Sequence, residues 1–279
     1  MKRLLVIDGH NLLFQMFFGM PSRIIGASGK AIQGVIGFVG AVNRMIDMLS
    51  PTHVAVIFDG EKSNPRKELC EEYKANRPDW SQVPEDENPF TQLPDVYAAL
   101  DYMGIMHTET VTCETDDVIA SYATRYKDEA EVYISSFDSD YFQLICERVK
   151  VVRYRGASTV VCDRDYITAR YGVEPSLYLD FKCLVGDTSD NIRGIPGVGP
   201  KTAARIINEI GGIDKIKGGC ERIFSEKIRL AIKDGLEVID RNRELIRLDG
   251  RADIPFSLEE LELIGARYRT MEVVRGIGL

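Results

Sequence analysis

Histidine and tryptophan are scarce in this chain of 279 residues, with 3 and 1 copies respectively. His10, His53 and His107 lie too far apart to form a zinc-ligand pair, and none pairs with a serine or cysteine in a nucleophilic pattern. The 6 cysteines, at 70, 113, 146, 162, 183 and 220, contain no C-x-x-C spacing, which excludes a zinc ribbon. They suit reduced thiols, so a cytoplasmic location is expected. No apolar run approaches the ~20 residues a bilayer helix needs, so no membrane partner is expected. The basic start of MKRLLVIDGHNLLF is interrupted by Asp8, His10 and Asn11 before it can form a signal-peptide core. Internal repeats and low-complexity tracts are missing. Positive charge is also in deficit: 35 Lys+Arg against 43 Asp+Glu give a net charge of −8, which at first argues against a nucleic-acid partner.

The chain does have short apolar strands. LLVID (4–8), HVAVIFD (53–59) and EVYISSFD (131–138) are rich in β-branched or aromatic residues, and VKVVRY (149–154) follows as a fourth. Helical spacing of apolar residues marks 34–49, 92–103 and 116–126. Strands alternating with helices predict an α/β core, a mostly parallel sheet covered on both faces. Residues 60–95 break the pattern with five prolines, the single Trp80, the basic Lys62, Arg66, Lys67, Lys74 and Arg77, and the acidic run Glu85-Asp86-Glu87. A connection this long inside a compact domain is expected to be functional or disordered. Past about 175 the strands stop and short helices with Gly-rich punctuation take over. The expected division is a core over 1–175 with an insertion near 60–95, then a helical region over 176–279.

Carboxylates are the dominant motif. Asp8, Asp59 and Asp138 each end a predicted strand, where open α/β sheets place their sites. Glu114-Thr-Asp116-Asp117, Asp138-Ser-Asp140 and Asp187-Thr-Ser-Asp190 add to them. A helix cap or turn accounts for any one strand-end Asp, and capping for Asp116 and Asp117, since acids suit a helix N-terminus. It does not account for the whole set, whose mutual repulsion calls for a compensating cation. All-oxygen ligands without His or Cys point to Mg²⁺ or Mn²⁺, and a pair of such ions suits phosphodiester hydrolysis.

Gly194-Ile-Pro-Gly197-Val198-Gly199-Pro-Lys201-Thr202 is not a nucleotide-binding P-loop: Pro200 intervenes before Lys-Thr and no strand leads in. A helix-hairpin-helix fits better, with a tight glycine turn and a following helix, 200–210, whose amides face a phosphate. A plain turn between two helices is the simpler alternative. Residues 191–234 hold nine Lys+Arg (193, 201, 205, 215, 217, 222, 227, 229, 233) against five acids. Phosphate contact needs such a local patch and not a basic chain, so the charge objection fails.

These motifs, V-I-D8-G-H-N, I-F-D59-G, Arg66…Y73-K74-A-N-R77, E114-T-D116-D117, D138-S-D140 and G186-D187-T-S-D190-N-I-R-G-I-P-G-V-G-P-K-T-A, resemble the 5′–3′ exonuclease/flap endonuclease family, in order and spacing, over nearly the whole chain. That family includes the 5′-nuclease domain of bacterial DNA polymerase I and related phage enzymes; with no polymerase-like sequence following, the likeness is to a stand-alone form. The resemblance implies a PIN-like nuclease core with a helical arch over the active site. It implies a hydrolase acting near a 5′ end, flap or nick in DNA by a two-metal mechanism, with the arch selecting a free single-stranded 5′ end. By position, Asp8, Asp59, Glu114, Asp116 and Asp117 look like first-metal ligands. Asp138 and Asp140 would lie between the sites, and Asp187 and Asp190 would serve the second. Asp116 and Asp138 carry the catalytic expectation, with Lys74 holding the scissile phosphate and Arg77 beside it. DNA contact is implied for position 15, Arg66, Lys74 and Arg77, and for the hairpin group Arg193, Gly197, Val198, Gly199, Lys201 and Thr202, where K⁺ can sit on loop carbonyls. A monomer working in DNA replication or repair is implied as well. Two departures stand out: Gln15 where the family often has Arg, and Cys70 where Tyr is common. A non-catalytic DNA-junction binder is disfavoured by the complete set of acids, and a related RNA-directed nuclease remains open.

Overall fold

The computed structural model describes residues 1–27, 29–60, 65–265 and 267–279. A six-stranded sheet has the order β3-β2-β1-β4-β5-β6. Its strands are β1 (Lys2–Asp8), β2 (His53–Phe58), β3 (Met106–Glu109), β4 (Ala130–Ser135), β5 (Val149–Arg153) and β6 (Val160–Cys162). The first five pair in parallel and β6 closes the edge antiparallel to β5. β1 is central, with Leu5 opposite Val54 on one side and Tyr133 on the other.

Alternation along these strands divides the core in two. Leu5, Ile7, Val54, Val56 and Phe58 face α1 (Gly9–Gly19), α2 (Gln33–Leu49), α4 (Leu93–Met103) and the C-terminal α12 (Thr270–Gly276). Leu4, Val6, Ala55, Ile57, Val132 and Ile134 face the opposite way, onto α5 (Thr115–Tyr126) and the helices that follow. Both faces are covered, which is why the strands read as unbroken apolar runs. The second core continues without a break into α7 (Tyr178–Val185) and α8 (Pro200–Ile210), so the C-terminal helices share the core of the sheet domain.

The sequence reading missed β3, β6 and a two-stranded hairpin past 175 (Gly186–Asp187 with Ile192–Arg193), and it ran the strand before Asp138 three residues too far, since β4 ends at Ser135. The expected helical arch is sparse in helix. Lys62 lies outside the described residues; beyond it, the segment holds α3 (Pro65–Leu69) and two 3₁₀ turns, Trp80–Gln82 and Pro89–Gln92. Pro78, Pro84 and Pro89 supply no amide hydrogen and disfavour helix in the residues before them. Trp80 instead packs edge-on against Phe14 of α1 and beside Phe90, which pins the segment to the sheet's carboxyl edge. Among the described residues, no helix is long and apolar enough to cross a membrane.

Candidate active site

The strand order reverses between β1 and β4, and in open α/β sheets that switch point is where a crevice opens outside the carboxyl ends. Asp8 stands there. It caps α1 by accepting from the Asn11 amide at 3.1 Å, and its other oxygen accepts from the Ser136 hydroxyl at 2.9 Å. Burial, with Asp59 and Asp138 nearby, pushes its carboxyl up to about 7. Asp116, in the first turn of α5, also stands well above the usual carboxylate range; burial is the main cause, Asp138 the next, and Lys74 opposes them. It accepts from the Tyr141 hydroxyl at 2.7 Å. Asp59 is half-exposed. Desolvation works to raise it, but His10, whose Nδ1 lies 3.6 Å away, and the Thr115 amide hold it below the usual range. Asp8, Asp59, Asp116 and Asp138 thus form one electrostatically linked group.

Asp140, Asp187 and Asp190 form a second. One oxygen of each lies within 4.8 Å of the others, the tightest carboxylate cluster among the described residues. The resemblance places Asp140 between two sites, but its side chain belongs to this cluster, while Asp138 accepts from the Asp140 amide at 2.8 Å. A short hairpin, β7 (Gly186–Asp187) and β8 (Ile192–Arg193), presents the other two. It forms because Gly186 and Gly194 let backbones cross: a Cβ on Gly186 would stand 2.4 Å from the Gly194 nitrogen. Lys182 of α7, only 5% exposed, bonds both Asp140 and Asp187 and reaches Ser139 at 3.2 Å. Burial pushes Asp140 up to about 7 although Lys182 pulls it down. Three hard-oxygen donors at this spacing fit Mg²⁺ or Mn²⁺.

The remaining acids are held by cations. Arg66 bonds Glu114 at 2.6 Å and grips both oxygens of Asp117 at 2.9 and 2.7 Å, with a fourth bond to the Arg247 carbonyl. Asp117 also accepts from the Asp249 amide at 2.8 Å. This pair is buried, and Arg66 ties α3 to α5 and to the chain after α11 (Leu236–Ile246). Lys74 reaches Glu114 at 3.1 Å and lies 3.9 and 4.0 Å from Asp116 and Asp190, so it bridges the two acidic groups. Its backbone is left-handed, φ 56°, a strained conformation held by its amide bond to the Asp190 carbonyl. Arg77 bonds Asp190 at 3.0 Å while half its side chain stays exposed.

Two residues expected to meet DNA have side chains that face the protein. Gln15 donates its amide to the Tyr154 carbonyl at the end of β5, so its side chain is committed to the protein. Val198 is 5% exposed and packs into the core, anchoring the glycine turn from beneath. Around it, Gly197 takes φ 81°, and a Cβ on Gly199 would meet no atom within 4 Å. Both glycines are exposed, as are Arg193 and Lys201, whose side chains form no ion pair or hydrogen bond among the described residues; Thr202 is half-buried. By contrast Arg205, Lys217, Arg229 and Lys233 pair with neighbouring acids. Sequence reasoning missed Lys182, Ser136, Tyr141 and the rim position of His10. Lys182 carried a signal, a lone charge inside the apolar run Phe181-Lys-Cys-Leu-Val185.

An acidic crevice at the switch point of a parallel sheet, beside a glycine turn, defines an α/β protein built to place carboxylates around cations. The family model described as the 5′-3′ exonuclease, N-terminal resolvase-like domain matches residues 3–172, and that of the 5′-3′ exonuclease, C-terminal SAM fold, matches 173–269. The chain belongs to the 5′–3′ exonuclease family. It is 31% identical to the 5′-3′ exonuclease of Aquifex aeolicus, covering 94% of this chain and 87% of that one. It is 33% identical to the thermostable DNA polymerase I of Thermus filiformis over 98% of its own length, but it spans only 31% of that polymerase. Among solved structures, bacteriophage T5 5′-exonuclease with bound zinc matches at a TM-score of 0.74 and 24% identity, covering 89% of this chain and 90% of that one. A T5 flap endonuclease complex with DNA and metal ions matches at 0.73, with the same identity and coverage.

Proposed function

We propose that this chain is a divalent-metal-dependent 5′ nuclease that hydrolyses DNA phosphodiesters near the 5′ end of a flap, nick or free end. The observation that carries the reading is the convergence of two carboxylate groups, Asp8/Asp59/Asp116/Asp138 and Asp140/Asp187/Asp190, on one crevice with Lys74 between them. Asp140, Asp187 and Asp190 would hold one ion, and Asp8, Asp116 and Asp138 with Asp59 at the rim would hold another. Bound there, Mg²⁺ or Mn²⁺ supplies Lewis acidity toward phosphoryl oxygens and an activated water.

The protein's own groups set the stage for that chemistry. Tyr141 fixes the rotamer of Asp116 and Ser136 that of Asp8, while Lys74 and the exposed half of Arg77 face an incoming phosphate. Arg66 and Asp117 brace α5 from behind. Gly197, Gly199, Arg193 and Lys201 offer exposed amides and charge to the duplex backbone, contacts that position without reading bases. A 5′-labelled flap substrate tests the reading. Short 5′ fragments in Mg²⁺, with binding but no cleavage in Ca²⁺ and no product in EDTA, are expected. Tight junction binding with no cleavage in Mg²⁺ or Mn²⁺ would favour a binding protein instead.

A further inference from the structure

We infer that Lys182 is a resident counter-ion of the Asp140–Asp187–Asp190 cluster, and that a divalent cation entering the cluster displaces it instead of joining it. The inference rests on the proposed function only in taking this cluster as a place where metal enters. Lys182 lies in α7 between buried Phe181 and Cys183, and its ammonium bonds one oxygen each of Asp140 and Asp187. Those residues belong to the trio whose donor atoms lie within 4.8 Å of one another. A bridging Mg²⁺ needs carboxylate oxygens at about 2.0–2.1 Å in near-octahedral array. The ammonium already bonds one oxygen each of Asp140 and Asp187, the two residues that a bridging cation would have to draw on. Asp190 is held separately, by Arg77 at 3.0 Å and Lys74 at 4.0 Å, so the lock on the bridging position is Lys182 alone among the described residues.

The chemistry favours exchange over coexistence. Two cations cannot share the same two oxygens at contact distance, and a lysine ammonium is a compact charge on a flexible four-carbon stem, able to swing away with one rotamer change. The residue also has a reason to be there without metal. Three carboxylates this close repel one another, and the buried ammonium between two of them offsets that repulsion. Lys182 lets the hairpin and α7 close on the acids before any metal arrives. Linkage makes the exchange reciprocal: what the lysine gains from the carboxylates, the metal must overcome.

Per-lysine amine acylation, read by mass spectrometry on the wild-type protein, tests this directly, with exposed Lys227 as the reference. Lys182 is expected to react far more slowly than Lys227 in EDTA, and about tenfold faster than before once Mn²⁺ saturates the cluster. Saturation is checked by Mn²⁺ electron paramagnetic resonance and by its loss in Asp187→Asn. Protection of Lys182 that Mn²⁺ leaves unchanged overturns the inference, as does reactivity equal to Lys227 already in EDTA. Melting of Lys182→Met gives an independent reading: a deficit against wild type in EDTA that vanishes in Mn²⁺ is expected. A deficit that persists undiminished in Mn²⁺ means the lysine stays beside the metal, and also overturns it. Wild-type flap cleavage in the same Mn²⁺ buffer separates failure of this inference from failure of the nuclease reading.

Discussion

Asp8 and Asp140 share a physical signature: burial pushes each to about 7, so the folded protein keeps protons that the unfolded chain has released. Between about pH 5 and 7 the native state therefore binds more protons, and stability in EDTA should fall as pH rises, by up to about 1.4 kcal/mol per unit for each carboxyl. Asp59 and Asp187 are shifted down, so their contribution changes only at lower pH. Melting in EDTA from pH 5 to 8 should show this decline, and Asp8→Asn should flatten it; a wild-type slope that Asp8→Asn leaves untouched contradicts the assignment. The rise in melting temperature on adding Mg²⁺ should grow across the same window, because metal competes with those protons. Asp116→Asn keeps the acceptor for the Tyr141 hydroxyl and removes a charge that Asp138, Asp8 and Asp59 oppose. Its stability in EDTA should equal or exceed wild type while cleavage falls by orders of magnitude, since metal clamping contributes several kcal/mol to the transition state. Matched melting curves and single-turnover rates check both halves.

The glycine turn and the α3 brace separate structural from binding roles. Gly197 sits at φ 81°, where any side chain is strained, so Gly197→Ala should cost about 1–2 kcal/mol of stability. Gly199 has ordinary backbone geometry and open space around it, so Gly199→Val should melt like wild type yet bind duplex DNA of every sequence more weakly. Equal affinity for wild type and Gly199→Val would remove the turn from the interface. Arg66→Ala leaves Asp117 buried and unpaired, at a cost of about 3–5 kcal/mol in a denaturant titration. Which elements were legible in the sequence follows from the same physics. LLVID and HVAVIF stand out because both faces are buried; Met106-His-Thr-Glu109 does not, because it is a short, half-exposed strand at the sheet's edge. The acids were legible as a set, and the resemblance divided them between two sites, but Asp140's place beside Asp187 and Asp190 was not legible. That place depends on Lys182 reaching across 42 residues to Asp140, a fact of packing that spacing does not encode.

The net charge of −8 says little about the molecule's partner because the charges are segregated. Acids converge on one crevice at the β1–β4 switch point. Exposed Arg193 of β8 and Lys201 of α8, which have no acidic partner among the described residues, flank the glycine turn. A substrate whose backbone is anionic throughout would be drawn to the turn and repelled by carboxylates that no cation covers. The central claim is that the crevice cleaves DNA through cations held by its carboxylates. The most direct measurement is the single-turnover rate on one 5′-labelled flap in Mg²⁺, for wild type, Asp116→Asn and Asp187→Asn. Affinity for the flap in Ca²⁺ is measured alongside. The account predicts rapid release of short 5′ fragments by wild type, rates lower by orders of magnitude for both variants, and a melting temperature for Asp116→Asn no lower than that of wild type. Cleavage that survives in either variant at a near-wild-type rate, or that proceeds in EDTA, would contradict it.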